Sequence, residues 1–244
     1  MPDLISLEVV AHLERDYPSH GVKAIGLRIA ENAGLAVPAY FVVSGEMGSD
    51  DIRRTLVTAD LPLIVRNSPN LPWTQSDEVS GSGVSVVCQT TTEVESALAG
   101  RVAPSGSSSA VIQRYVSPTV AGFIHQFPRG LFLEAGREAI GVVCWTHGTG
   151  APIAFGADDP SHFVVAASPD GALTVIAADA DIGELEQVNP VLRAALCSII
   201  NLLGTDVPLE LEWVWDGDRL WIVQLQPLDL EHSHWPYLSR SDDE

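Results

Sequence analysis

Positive charge is scarce in this sequence, and lysine is almost missing. Lysine and arginine together number 13 against 32 aspartates and glutamates, which sets the formal net charge at −19. Binding to DNA, RNA or an anionic membrane surface requires clustered lysine and arginine, because these side chains interact with the phosphates. The sequence contains no such cluster. We therefore expect no nucleic acid and no membrane among the partners of this protein.

Long apolar runs and a cysteine framework are missing as well. No stretch approaches the roughly 18 apolar residues of a membrane-spanning helix, and the N-terminus lacks the basic region and apolar run of a signal peptide. The three cysteines, Cys88, Cys144 and Cys197, are widely spaced and odd in number. They form neither a disulfide framework nor a zinc-binding spacing. These absences predict buried thiols in a reducing compartment and a cytoplasmic location.

The patterns that are present predict an α+β fold with two lobes. The chain has 244 residues, of which 46% are apolar and 18% charged, enough for a sizeable core. Residues 1–104 read as a mixed α/β lobe, 105–230 as a β-rich lobe and 231–244 as a tail. Residues 67–83 are rich in serine, asparagine, proline and glycine and predict a long loop, a feature that is often functional. Trp73 in this loop would either cover a ligand or pin the loop down.

The segment 208–227 predicts a β-hairpin. Apolar and polar residues alternate on both sides of Asp216-Gly217-Asp218. A two-residue turn would pair even-numbered residues with odd ones, whereas a three-residue loop would pair even with even. We expect the three-residue loop, because it separates the polar residues from the apolar ones. One face would then hold Leu209, Leu211, Trp213, Trp215, Trp221, Val223 and Leu225, and the other Glu210, Glu212, Gln224 and Gln226.

The polar face of this hairpin is a candidate Mg²⁺ site. In the three-residue register Glu212 would pair with Ile222 and Glu210 with Gln224, which makes Glu212 and Gln224 diagonal neighbours. A carboxylate and an amide carbonyl are hard oxygen ligands, and Mg²⁺ usually takes one or two protein ligands and leaves its other positions to phosphates and water. The alternative is that these residues only form the exposed polar face of an edge hairpin.

Six segments, taken in order, resemble one known family. They are HGVKAIGLRIAENAGLAVPAYFVV, IVRNS, VIQRYV, VAGFIHQFP, LFLEA and PLELEWVWDGDRLWIVQLQP. They resemble the ATP-binding N-terminal domain shared by pyruvate phosphate dikinase, phosphoenolpyruvate synthase and rifampin phosphotransferase. The resemblance runs from about Gly21 to Pro227. It implies an ATP-grasp-like fold with the nucleotide between two lobes.

The resemblance also implies roles for individual residues. Lys23 and Arg66 would be the catalytic cations on the nucleotide phosphates, and Glu212 and Gln224 would bind Mg²⁺. Further nucleotide contacts are expected from a glycine-containing loop, from a hinge against the adenine and from two other positions: Gly81, Gly83, Gln113, Arg114, Tyr115, Val116, Glu134 and Gln226. A further observation does not depend on the resemblance: Lys23 is the only lysine in the chain. It either marks a place that needs a compact point charge rather than a guanidinium or survives by chance on the surface.

The sequence departs from the family pattern at several positions. Gln226 stands where the family has arginine, which removes a charge from the phosphate site. Asn67-Ser68 replaces two serines, and no Gly-Leu-Gly-Glu segment follows LFLEA. We expect no swivelling phosphohistidine domain within the tail. His232 and His234 of the tail would either take a metal or phosphoryl group or be exposed and inert.

Two classes of function remain open from the sequence. The first is an enzyme that uses ATP and Mg²⁺ to phosphorylate a small-molecule acceptor, or a partner protein that supplies the missing domain. A close variant is a ligase in which an amine captures an acyl phosphate. The second class is a degenerate domain that binds nucleotide or protein without catalysis. We favour the enzyme, because the lysine, the arginine and both predicted metal ligands are present.

Overall fold

A computed structural model of the protein shows two antiparallel sheets with a helix packed between them. The helices are α1 (Asp3–Asp16), α2 (Gly21–Asn32), α3 (Ser49–Val57) and α4 (Thr91–Leu98). The structure describes residues 3–16, 19–45, 47–71, 73, 85–99, 101–102, 108–126, 132–133, 139–147, 161–167, 173–178, 190, 191, 194, 198, 208–228 and 238–239. None of the helices in this described part of the chain has the length and apolar character needed to cross a membrane.

The first sheet has four strands in the order β1-β4-β2-β3. Its strands are β1 (Tyr40–Val43), β2 (Leu63–Pro69), β3 (Val86–Cys88) and β4 (Ser108–Arg114). Helices α3 and α4 cover one face, where their apolar residues share a core with Val65 and Ile112. Thr90 caps α4, because its side chain accepts a hydrogen bond from the Glu93 N–H at 3.2 Å. The start of α4 therefore follows a local signal in the sequence.

The second sheet has six strands in the order β11-β10-β5-β7-β8-β9. Its strands are β5 (Val120–Gln126), β7 (Ala139–His147), β8 (Ser161–Ala167), β9 (Leu173–Ala178), β10 (Leu209–Trp215) and β11 (Leu220–Pro227). A separate pair joins β6 (Phe132–Leu133) to β12 (Leu238–Ser239). Apolar residues of α1 and α2 pack against Leu211, Trp213 and Leu225 in the largest core. The α+β class with two sheet-based lobes is confirmed.

The chain passes from one sheet to the other between β4 and β5. Strand β4 follows the predicted lobe boundary at residue 104, and it pairs with β1 and β2 of the first sheet. The division at residue 104 stays a prediction. The sequence pattern also predicts a strand over 152–156 and a helix over 189–203. The strand lies outside the described residues, and so does most of the helix.

The hairpin β10–β11 forms, but its register differs from the expected one. Trp215 pairs with Leu220, so the loop has four residues, 216–219. A bulge then leaves Val223 unpaired, and beyond the bulge Glu212 lies directly opposite Gln224 and Glu210 opposite Gln226. The expected diagonal arrangement of Glu212 and Gln224 is wrong, whereas their placement on one face is confirmed.

The loop chemistry explains this register. The Asp216 carboxylate accepts hydrogen bonds from the backbone N–H groups of Asp218 and Arg219 and from the indole N–H of Trp221, at 2.8–2.9 Å. The indole bond, followed by the Arg219 amide, lowers the pKa of Asp216. These bonds favour a four-residue loop, and the bulge restores even-to-even pairing at the polar end. Consequently Ile222, not Trp221, joins the buried apolar face.

Helix α2 packs unusually close to the edge strand β11. A Cβ atom placed on Gly26 would lie 1.8 Å from the backbone oxygen of Leu225 and 3.1 Å from the Trp73 ring. Only a residue without a side chain permits this approach. Trp73 is itself 2% exposed and belongs to the largest core, so it pins the loop rather than covering a ligand.

We predict that Gly26→Ala lowers the free energy of unfolding by about 1–3 kcal/mol or more, because the added methyl overlaps the Leu225 carbonyl. Urea-induced unfolding followed by circular dichroism measures the change. Gly48→Ala is the control, since its nearest new contact is at 3.6 Å. Equal effects of the two substitutions would contradict the packing argument.

Candidate nucleotide and metal site

Arg66 joins the two sheets through one guanidinium nitrogen. The residue lies on β2 and is 9% exposed. Its Nη1 atom donates hydrogen bonds to Glu212 Oε2 at 2.9 Å and to Gln224 Oε1 at 3.0 Å. The two predicted metal ligands and the predicted phosphate-binding arginine therefore meet at one point. Because both oxygens accept from the same arginine nitrogen, they point toward one position.

A chain of hydrogen bonds fixes which way the amides of Gln224 and Gln226 point. The Glu210 carboxylate only accepts, so Gln226 Nε2 donates to Glu210 Oε1 at 2.7 Å. Gln226 Oε1 then accepts from Gln224 Nε2 at 2.6 Å, which leaves Gln224 Oε1 toward Arg66. The arginine, a pure donor, requires the same orientation from the other end. Gln226 thus turns the Gln224 oxygen toward the cation position, a role that an arginine there could not perform.

His125 extends this polar chain onto β5. Its Nε2 lies 2.9 Å from Glu210 Oε2, and its ring stacks on Phe123 with centroids 5.9 Å apart. Residue 125 pairs with Glu210 across the β5–β10 ladder, which explains the contact. The sequence singles out neither Glu210 nor His125 as a ligand. Two sequence signals bear on this association: the alternation of β10, which puts Glu210 on the same face as Glu212, and the place of His125 in VAGFIHQFP, a segment that resembles the family's site-lining strand.

Lys23 lies on the first turn of α2 and is 8% exposed. Burial, and then the positive charge of Arg66, lower the pKa of its ammonium, while Glu212 and Glu210 act in the opposite direction. Among the described residues, no carboxylate lies within 4 Å of the ammonium. A buried ammonium without a direct counter-ion in the described part of the site is suited to an anionic ligand.

Ser68 connects the helix carrying Lys23 to the strand carrying Arg66. Its hydroxyl accepts from the Lys23 and Ala24 N–H groups at 3.2 and 3.4 Å and donates to the His20 carbonyl at 2.9 Å. Gly21 allows the contact, because it has a φ of +70° and a Cβ there would lie 2.3 Å from the Ser68 carbonyl oxygen. Ser68 is thus an N-terminal cap supplied by another element. In the sequence, Ser68 stands out only as a departure from the family pattern.

The predicted adenine hinge, Gln113 to Val116, ends β4 and leads toward the second sheet. The backbone N–H groups of Arg114 and Tyr115 already donate to Ala39 and Pro62. Gln113 is 1% exposed, and its amide makes no hydrogen bond to a described residue. Val116 is buried as well. The roles of these residues stay predictions.

Trp221 brings Arg114 close to the hairpin loop. The Arg114 guanidinium carbon lies 5.0 Å from the Trp221 ring centroid, and that of Arg219 lies 4.5 Å from it. These distances are typical of cation–π contacts. The three other predicted positions, Gly81, Gly83 and Glu134, lie outside the described residues.

The donor set at the hairpin is compatible with Mg²⁺. Glu212 and Gln224 supply one carboxylate and one amide oxygen, and Mg²⁺ commonly takes so few protein ligands when phosphates complete its shell. In the part of the chain that the structure describes, no group of three or more histidine, cysteine, aspartate or glutamate side chains could hold a metal. The pair therefore suits a metal that arrives with a ligand better than a resident structural ion.

Two solved structures with a similar fold are a synthetase and a ligase of the ATP-grasp type. The chain is similar to N5-carboxyaminoimidazole ribonucleotide synthetase in its ADP complex, with a TM-score of 0.53, 12% identity, and coverage of 88% of this chain and 47% of that one. It is also similar to L-amino acid ligase from Bacillus licheniformis, with a TM-score of 0.51, 12% identity, and coverage of 86% and 43%. The fold is thus ATP-grasp-like.

The comparisons do not single out the family that the motifs resemble. No protein-family model matches the chain, and no curated protein matches it. The chain spans a little under half the length of each of the two solved structures. They support the ATP-grasp fold and not the dikinase family in particular.

We predict that Ser68→Ala lowers the free energy of unfolding by about 1–2 kcal/mol, because buried N–H groups of α2 lose their acceptor. Thermal unfolding measures the effect. Ser49→Ala, at an exposed first-turn position of α3, is the matched control and should change stability by less than about 0.5 kcal/mol. A stability unchanged by Ser68→Ala would refute the capping role.

A second prediction concerns Lys23. Its pKa is lower in the folded protein than in the unfolded chain, so the unfolded chain binds more protons between the two pKa values. Stability contributed through this group therefore rises with pH across that window and is least at neutral pH. Lys23→Met should leave the ligand-free protein as stable as the wild type or more stable at pH 7, and should reduce the gain between pH 7 and 9.5. Urea unfolding at both pH values measures this, and a clear loss of stability at pH 7 would contradict it.

Proposed function

We propose that this protein binds a nucleoside triphosphate with Mg²⁺ between its two sheets and uses it to phosphorylate an acceptor. The observation that carries the proposal is the contact of Arg66 with the oxygens of Glu212 and Gln224, which lie far from it in sequence. The buried Lys23 lies close enough to this contact for the charges of Arg66 and Glu212 to act on its ammonium. Two cations for phosphate oxygens and two hard oxygens for a metal ion are the groups that phosphoryl transfer requires.

Each residue has a definite part in this proposal. The Lys23 ammonium and the Arg66 guanidinium would bind phosphate oxygens and neutralise charge as it develops during transfer. Glu212 and Gln224 would hold Mg²⁺, which supplies further charge neutralisation when bound. Gln226 keeps the Gln224 oxygen directed at that position through its amide. The hinge at Gln113–Val116 would place the base, and ATP is the expected nucleotide.

We favour a carboxylate as the acceptor, with formation of an acyl phosphate that an amine then captures. The two solved structures with similar folds are named as a synthetase and an amino acid ligase, which supports this alternative over phosphoryl transfer to a hydroxyl or histidine. Acyl phosphate chemistry also needs no swivelling phosphohistidine domain.

A non-catalytic nucleotide-binding domain is the second candidate. The observation that favours it is Gln226, a neutral amide at the position where the dikinase family has arginine. The polar chain from His125 to Arg66 is continuous without a ligand, as a structural network would be. Product formation, rather than binding, separates this candidate from the enzyme.

The first test is nucleotide binding. We predict that ATP with Mg²⁺ raises the melting temperature of the wild type, and that Glu212→Ala removes the Mg²⁺-dependent part of the rise. Glu95→Ala is the matched control, because it also breaks a glutamate–arginine pair but at the surface. Absence of any shift in the wild type would rule out the proposed function.

Product analysis then identifies the reaction. ADP release that requires both a carboxylic acid and an amine indicates a ligase, and ADP release with a hydroxyl acceptor alone indicates a kinase. Release of AMP would point to pyrophosphoryl chemistry. A thermal shift without any product across these acceptors would support the non-catalytic domain.

A further inference from the structure

Arg66 occupies the position between the two predicted metal ligands. Its Nη1 lies 2.9 Å from Glu212 Oε2 and 3.0 Å from Gln224 Oε1. A divalent cation bound through these oxygens would use lone pairs that now accept from the guanidinium. The arginine and a metal ion therefore compete for the same pair of oxygens.

In this contact the Arg66 guanidinium uses only some of its N–H donors. Arg66 Nε is buried and makes no hydrogen bond to a described residue. A planar guanidinium with an unused N–H donor is suited to donating hydrogen bonds to a second, oxygen-rich partner. A phosphate group is such a partner, and it would draw the arginine away from the carboxylate.

The surrounding charges decide when the exchange is favourable. Arg66 contacts Glu212, and Lys23 lies close enough for the charges of Arg66, Glu212 and Glu210 to act on its ammonium. The formal charges of these four side chains sum to zero. A metal ion that arrives alone is placed beside two cations, and a polyphosphate that arrives alone is placed beside two carboxylates. When both arrive, the cations face phosphate and Glu212 faces the metal, so neither repulsion remains unopposed.

We propose that Arg66 is a tethered cation that closes the Glu212–Gln224 oxygen pair to divalent metal until a phosphate group draws the guanidinium away. Metal and nucleotide then bind with positive coupling, and each raises the affinity for the other by the same factor. The identity of the phosphate ligand rests on the function proposed above. The competition itself involves only residues of this chain and a metal ion.

The decisive experiment measures Mn²⁺ binding without nucleotide, by the electron paramagnetic resonance signal of free Mn²⁺. We expect weak binding by the wild type and a gain of about tenfold or more in Arg66→Met, because the competing cation is gone. Unchanged Mn²⁺ affinity in a folded Arg66→Met protein would overturn the proposal. If Arg66→Met does not fold, Arg66→Gln is measured with the same expectation.

Two control variants locate the effect. Arg53→Met also breaks an arginine–glutamate pair, the surface pair with Glu95, and should leave Mn²⁺ affinity unchanged. Adding Glu212→Gln to Arg66→Met should abolish the gain. A gain that persists without the Glu212 carboxylate would place the metal elsewhere and refute the competition.

Failure of this proposal is distinguishable from failure of the proposed function. If the wild type shows the Mg²⁺-dependent thermal shift with ATP but Arg66→Met does not gain Mn²⁺ affinity, the proposed function stands and the tethered-cation proposal fails. If the wild type shows no thermal shift with ATP but Arg66→Met gains Mn²⁺ affinity, the proposed nucleotide function fails and the competition between Arg66 and the metal stands.

Discussion

The contact of Arg66 with Glu212 and Gln224 is the interaction on which the site depends. It is largely buried, with the arginine side chain 11% and the glutamate side chain 23% exposed. A buried charge that loses its partner costs several kcal/mol of stability, so the sheets must meet with Arg66 near its oxygens or near a substitute anion. This requirement ties the face of β2 to the face of β10 and β11. It also makes the site sensitive to any ligand that offers the arginine a better partner.

Helix α2 sets the spacing that this contact needs. Gly26 lets the helix approach the backbone of β11, and Ser68 attaches the first turn of the helix to β2. The helix is thus positioned against one sheet by close packing and against the other by hydrogen bonds. Both constraints fix the position of Lys23, because this residue lies on the first turn of the helix, between the two sheets. The loss of solvation that lowers its pKa is a direct consequence of this position.

The polar network gives Gln226 a role that differs from the one expected from the sequence. Taken as a substitution for arginine, it removes a charge from the phosphate site. Within the structure it accepts from Gln224 and donates to Glu210, so it aligns a neighbouring ligand instead of contributing charge itself. The net charge at this face is balanced without a second arginine. The fold by itself does not select an acceptor chemistry.

Strand alternation, cap residues and the short motifs made much of this protein predictable from its sequence. They indicate the α+β class and the polar face of the hairpin, because such patterns depend on neighbours a few residues away. The motifs that resemble a known family point to Lys23, Arg66, Glu212 and Gln224, and the structure brings the last three of these together. Other features depend on contacts between distant segments. The bulge at Val223, the capping of α2 by Ser68 and the pairing of His125 with Glu210 arise only when the strands and sheets are assembled. The sequence by itself determined that Glu210, Glu212, Gln224 and Gln226 share a face of the hairpin. The tertiary structure decided what each faces, since the arginine that lies between the predicted metal ligands is 146 residues from one of them.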